Sequence, residues 1–330
     1  MAKMHLHLLV PGLFQPLKLW RKDFAFQPQA ENLLRLCANA RPETLPVQGL
    51  ENTLFHLCGH PADTEIPFAY YRYLSDFGVP PEQPLLCADP VALQTGIDQV
   101  LMRPELPPLS VPEMETLLVI LNKHLAEDGL QLVANHPQRW YLLGERIDAS
   151  LQTVPLLKAL GQSIFPLLPR GERYWHRLLN ELQMLLHTSG TSANALWLWG
   201  ASLPTALPPL QKGGRGGFIG TSTTAEVMAS ATQTPQQAAT KLPDCDFSGG
   251  NQVIILEDLL QPAVADDLQG WQDALNGLEE NWFAPALAGM KSGKFSVSLS
   301  ACDGRTLHCQ SAPLWKFWQT RMANWDALSR

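Results

Sequence analysis

The residue types that carry chemistry are thinly spread along this chain of 330 residues. His5 and His7 share one face of the stretch HLHLLV, a spacing that could clip a metal between two imidazoles. No carboxylate or third histidine follows close in sequence, so ordinary strand residues are the simpler reading. QKGGRGG, residues 211–217, invites comparison with a phosphate cradle. It lacks the Lys-Ser/Thr ending of a P-loop and the spacing of a dinucleotide fingerprint, and reads as a surface turn. No GxSxG marks a serine hydrolase. Cys37, Cys58, Cys87, Cys245, Cys302 and Cys309 form no CxxC, which disfavours a zinc knuckle or a dithiol redox site. Cys302 and Cys309 could face each other across a hairpin, with buried thiols the expected state in a reducing compartment. Glu257, Asp258, Asp266, Asp267, Glu279 and Glu280 cluster in sequence, most of them on the solvated face or first turn of a helix, where negative charge suits the dipole. His187 ends a helix, and complementing that helix's dipole outweighs catalysis as its role.

The stretch SANALWLWG, residues 192–200, is more specific. Alternation sends Trp197 and Trp199 to one face of a strand and Leu196 and Leu198 to the other. Asn194 and Gly200 then sit at the strand ends, where a parallel sheet places its ligand crevice. Asn194, Trp197, Trp199, Gly200 and His187 are therefore the candidate ligand-binding residues. The aromatic tail LWKFWQTRMANW groups Trp315, Phe317, Trp318 and Trp325. It reads first as a terminal helix packed on the core, and second as a partner-binding surface.

Composition narrows the function classes. Charged residues make up 17% and the net charge is −7, with no dense Lys/Arg stripe, so a nucleic-acid partner is disfavoured. No apolar run approaches the ~20 residues that span a bilayer. The start lacks the features of a secretory signal, and the expected location is cytoplasmic.

The elements that would position these residues follow from periodicity. HLHLLV predicts a strand and Asn32–Leu57 carries helical stretches. Ser110 and Glu113 form a capping box opening a helix over 111–128, and GLQLVA with RWYLL predicts a hairpin over 130–143. Helices follow at 171–187 and 266–283, and a mobile helix or long loop at 229–250. QVIIL predicts a buried parallel strand. KFSVSLSA alternates strictly, with three serines on one face, and Asp303-Gly304 predicts a two-residue turn into RTLHCQ.

LHLLVPGLF, LCADPVAL, RWYLL, LLNELQMLLH and NALWLWG together resemble a bacterial family labelled RpfE-type regulatory protein, loosely "phosphoglycerate mutase-like". NALWLWG also resembles a segment of archaeal-type, cofactor-independent phosphoglycerate mutases of the alkaline-phosphatase superfamily. The resemblance implies an α/β fold: an alkaline-phosphatase-like mixed sheet flanked by helices, with a smaller inserted α+β subdomain. It places the core at 1–80 and 170–330 and the insert at 81–169.

Those mutases use two metals and a serine nucleophile, held by a dense Asp/His set. Here the first strand ends Val10-Pro11-Gly12 rather than Asp-Gly. EDLLQPAVADD follows QVIIL without a histidine, and Asp303-Gly304 stands where Asp-His is expected. The resulting expectation is a non-catalytic, metal-free regulatory or binding protein with no cofactor, its partner another protein or a small phosphorylated metabolite. The alternatives are an active metal-dependent phosphoglycerate mutase or phosphatase, and a phosphometabolite sensor.

Overall fold

The computed structural model describes residues 3–96, 98–148, 150–171, 173–204, 215–310 and 323–328. Two compact units emerge, Met1–Ala62 with Pro209–Arg330, and Asp63–Pro208. The second unit runs further in both directions than the insert expected at 81–169. The physical reason is strand pairing: the tryptophan strand, Ala195–Ser202, bonds to Leu85–Val91 and not to the large sheet.

The first unit holds a seven-stranded mixed sheet. Its order is Gln236–Gln237, Arg215–Ile219, Asn251–Ile255, Met4–Leu9, Phe295–Ser300, Arg305–Cys309 and Arg41–Thr44. The first five run parallel, and Arg305–Cys309 runs antiparallel between Phe295–Ser300 and Arg41–Thr44. Met4–Leu9 lies at its centre, and alternation divides its side chains. Leu6 and Leu8 join Val297, Leu299 and Ile254 in one core, under Trp20, Trp271, Leu275 and Phe283 from the flanking helices. Each such side chain buried from water contributes roughly 1.5–3 kcal/mol.

The helix expected over 266–283 is interrupted. Leu268–Leu278 is α-helical, with Asp267 capping Gly270 N–H at 2.9 Å; Glu279–Phe283 forms a π turn; Ala284–Lys291 resumes. Pro285 has no N–H to donate and its ring crowds the carbonyl four residues back, which accounts for the wider turn. The polar segment 229–250 holds the end of the Thr223–Thr232 helix, a short strand and a 3-10 turn. The two-residue turn at Asp303-Gly304 is instead a four-residue connection, because the flanking strands end at Ser300 and start at Arg305. In that register Cys309 stands opposite Val297, not near Cys302. Cys309 interacts instead with Cys37, and all six cysteines are free and buried.

The second unit packs two helices on an antiparallel sheet ordered Gln131–His136, Arg139–Leu143, Leu85–Val91, Ala195–Ser202. The capping box forms as read: Ser110 accepts from Glu113 N–H, and the Glu113 side chain accepts from Ser110 N–H, opening Val111–Leu125. Leu117, Leu121 and Leu125 meet Trp175, Leu178, Leu182 and Leu186 of Arg173–Thr188, over Leu196 and Leu198 of the tryptophan strand. Among the described residues no helix is long and apolar enough to cross a membrane.

Candidate functional site

In an open sheet of parallel strands, ligand crevices lie beyond the carboxyl ends. Four strands of the first unit bring polar groups there. After Met4–Leu9 the chain turns at Gly12, whose φ of +81° and 2.7 Å approach to the Leu259 carbonyl exclude a side chain. Trp271 donates to the Gly12 carbonyl at 2.9 Å and fixes that turn. After Arg215–Ile219 come Ser222 and Thr224 at the start of a helix. After Asn251–Ile255 comes Glu257, and after Phe295–Ser300 come Cys302 and Asp303. Glu51 and Thr53, buried near the start of the Leu50–Leu57 helix, complete the set, because Gly49 N–H donates to the Cys302 carbonyl at 2.8 Å.

The electrostatics of this edge are set by burial and by pairing within the chain. Burial pushes the Glu257 carboxyl above its usual range; hydrogen bonds from Ser222 and Thr224 oppose the shift, and Asp258 adds to it. The Cys302 thiol is pushed far upward, first by burial and then by Glu51, Asp303 and Glu257, against a hydrogen bond with Thr53. It remains a thiol, not the thiolate that would attack or ligate. Asp303 is occupied by Arg305, with Nη2 at 2.6 Å and Nε at 3.2 Å from Oδ2. The chain thus supplies its own cation at that carboxylate. Among the described residues, no group of three or more His, Cys, Asp and Glu could hold a metal ion.

The sequence candidates occupy the second unit and have structural partners there. Asn194 clamps the backbone of Leu93, accepting from its N–H at 2.6 Å and donating to its carbonyl at 2.9 Å. Its strand is antiparallel, so the parallel-sheet crevice invoked for Asn194 and Gly200 does not lie at its ends. Gly200 is not a strand end either: it sits inside Ala195–Ser202 at a bulge, with φ +68° and Phe68 Cβ and Ala69 N each 3.1 Å from where a Cβ would be. The two tryptophans share a face as read. Trp197 donates to the Val154 carbonyl at 2.8 Å. Trp199 stacks on Phe68, with centroids 4.6 Å apart, and donates to Asp89 Oδ2 at 2.8 Å. His187 is exposed in the last turn of its helix. Trp325 is buried in the first unit and donates to the Pro28 carbonyl at 3.0 Å, while Trp315, Phe317 and Trp318 lie outside the described residues.

Sequence reading missed the charge beneath Trp199. Asp89 is fully buried and binds Arg72 in a two-pronged ion pair at 2.7 and 2.8 Å. Arg72 also donates to the Trp140 carbonyl and the Tyr141 hydroxyl, and lies over the Tyr141 ring at 4.8 Å. Burial disfavours the Arg72 charge, yet Asp89, Cys87 and Tyr141 together outweigh it and raise the guanidinium pKa above its ordinary value. The only sequence signal was an Asp inside the otherwise apolar run LLCADPV.

No protein-family model and no curated protein matches the chain. Among solved structures, the PH0037 protein from Pyrococcus horikoshii aligns with a TM-score of 0.51 at 11% identity, over 99% of this chain and 92% of that one. A cofactor-independent phosphoglycerate mutase from Thermoplasma acidophilum aligns more loosely, with a TM-score of 0.43 at 13% identity, over 99% and 95%. The likeness to the Pyrococcus protein establishes a shared α/β fold, a large mixed sheet flanked by helices.

Proposed function

We propose that this chain is a non-catalytic regulatory or binding protein on a phosphoglycerate-mutase-like scaffold, acting in the cytoplasm. The mutase likeness rests on the segments from LHLLVPGLF to NALWLWG, and six free cysteines suit a reducing compartment. One observation carries the reading: burial and pairing disfavour free negative charge at the carboxyl edge of the parallel strands. Glu257 is pushed toward its protonated form between two hydroxyls, Cys302 is held as a thiol, and Asp303 is matched by Arg305. Two-cation phosphoryl transfer requires ionised ligands that share their charge with the metals and a nucleophile activated beside them. A carboxyl favouring its proton and a carboxylate already paired are poor starting points for that chemistry, since a fold does not by itself supply a site.

The test combines metal analysis with turnover. Purified protein, loaded with Mn²⁺, Mg²⁺ or Zn²⁺ and dialysed, is assayed on 3-phosphoglycerate and on a generic phosphate monoester. The reading expects no stoichiometric retention of ions and no turnover above background. Two retained ions per chain with turnover that Asp303→Asn abolishes would overturn it.

A further inference from the structure

Three neighbouring strands of the large sheet carry the same alternation, and their polar faces coincide. His5 and His7 on Met4–Leu9 lie beside Ser296 and Ser298 on Phe295–Ser300, and Ser298 lies opposite His308 on Arg305–Cys309. Alternating polar positions ordinarily mark a solvated sheet face. Here part of the stripe is covered: Ser298 is 1%, Thr306 2% and His7 7% exposed, while the His308 side chain at the rim is 46% exposed. The Leu50–Leu57 helix brings His56 to the same place, and the groups line a half-open cavity of about 350 Å³. That size lies within the range of small-molecule sites.

The cavity is unusual in what lines it. Four imidazoles, His5, His7, His56 and His308, converge on it from three elements. His308 bridges Ser298 Oγ at 3.0 Å and Glu43 Oε2 at 2.6 Å, so the single carboxylate of the lining is matched by an imidazole. His5 Nδ1 is 3.0 Å from Ser296 Oγ. Two buried polar atoms, Thr306 Oγ1 and His56 Nδ1, have no hydrogen-bond partner among the described residues. A buried hydroxyl left unsatisfied costs about 1–3 kcal/mol, and a polar cavity in contact with such groups is where a ligand would restore the bonds. The other charged groups on the elements that form the cavity are Arg41 beside His308, Arg305 committed to Asp303, and Glu51 at the far end of the helix.

We infer that this histidine-lined cavity is a binding site for a small oxyanion, a phosphate or carboxylate group, which Thr306 and His56 contact and the other imidazoles surround. A metal would need several imidazole lone pairs aimed at one point. Instead both ring nitrogens of His308 and Nδ1 of His5 face protein oxygens, and no metal-holding group forms among the described residues. The site lies on a sheet face in the first unit, away from the carboxyl edge, and the inference does not depend on whether that edge is catalytic.

The test is calorimetric titration of the full chain with inorganic phosphate, in EDTA-treated protein. Imidazole ¹H–¹⁵N spectra of the unmodified chain are recorded alongside. Expected are saturable binding, shifts confined to the cavity imidazoles, and about tenfold weakening in Thr306→Val and in His56→Phe. Glu257→Gln, at the carboxyl edge, should leave the affinity unchanged. Absence of saturable binding, shifts confined to other histidines, or folded Thr306→Val and His56→Phe chains that bind normally would each overturn the site. Stoichiometric Zn²⁺ binding that shifts the same imidazoles, without phosphate binding, would replace it with a metal site. The spectra of the unmodified chain decide the matter even if a variant fails to fold.

Discussion

Replacing Arg72 by Met isolates the strongest buried electrostatic interaction described in the second unit. The side chain of Arg72 is 5% exposed and that of Asp89 is 0%, so neither charge can turn to water. Removal of the guanidinium deletes both prongs of the pair and the donation to Trp140. Asp89 then keeps only the Trp199 indole N–H at 2.8 Å and the Trp140 backbone N–H at 3.3 Å. An uncompensated buried charge of this kind costs about 3–5 kcal/mol, a large share of a typical domain's stability. Adding Asp89→Asn to Arg72→Met removes the stranded charge while leaving an oxygen for Trp199. The double variant should therefore be more stable than the single one, with roughly half of the loss recovered. Urea denaturation, followed by tryptophan fluorescence and near-ultraviolet circular dichroism, measures both. Because the chain has two units, the midpoint of the transition reporting on Trp140, Trp175, Trp197 and Trp199 is the quantity to compare. A loss below about 1 kcal/mol in Arg72→Met, or a double variant less stable than the single one, would refute the reasoning.

Three further outcomes follow from the same geometry. Glu257→Gln should raise the melting temperature at neutral pH. The folded-state pKa of Glu257 is raised by burial above 4.5, so its contribution is fully present below that value and is lost as pH climbs through the raised one. The gain should vanish when melting is measured below the unfolded value, and a pH-independent difference would contradict the assignment. Gly200→Ala should destabilise the chain by about 1–3 kcal/mol, from positive φ and from crowding against Phe68 and Ala69, with thermal melting as the readout. Asn194→Ala removes both bonds to Leu93 and should cost about 1–3 kcal/mol in denaturant while leaving phosphate affinity unchanged. A loss of phosphate affinity there would reinstate Asn194 as a ligand contact.

Local signals were legible where one segment sufficed to define an element. The Ser110/Glu113 box, the apolar faces of the 111–125 and 173–188 helices, the hairpin near residue 137 and the alternation of SANALWLWG all describe how neighbours in sequence lie on one face. Such features depend on backbone periodicity and nearest-neighbour bonds, which composition and spacing encode directly. The same alternation correctly separated Leu196 and Leu198 from the two indoles.

What alternation could not reveal is which sheet a strand joins, or whether its polar face meets water. Pairing of Ala195–Ser202 with Leu85–Val91 is a contact between segments about a hundred residues apart, and it sets Gly200 in an antiparallel strand rather than at the end of a parallel one. The ion pair of Arg72 with Asp89 and the meeting of His5, His7, His56 and His308 are likewise long-range events. The sequence alone determined that His5 and His7 share a face and that the serines of KFSVSLSA share another. Only the tertiary structure decided that these faces are one, and that Ser298, Thr306 and His7 on it are buried. Burial is a property of what packs on top, and no single segment contains it.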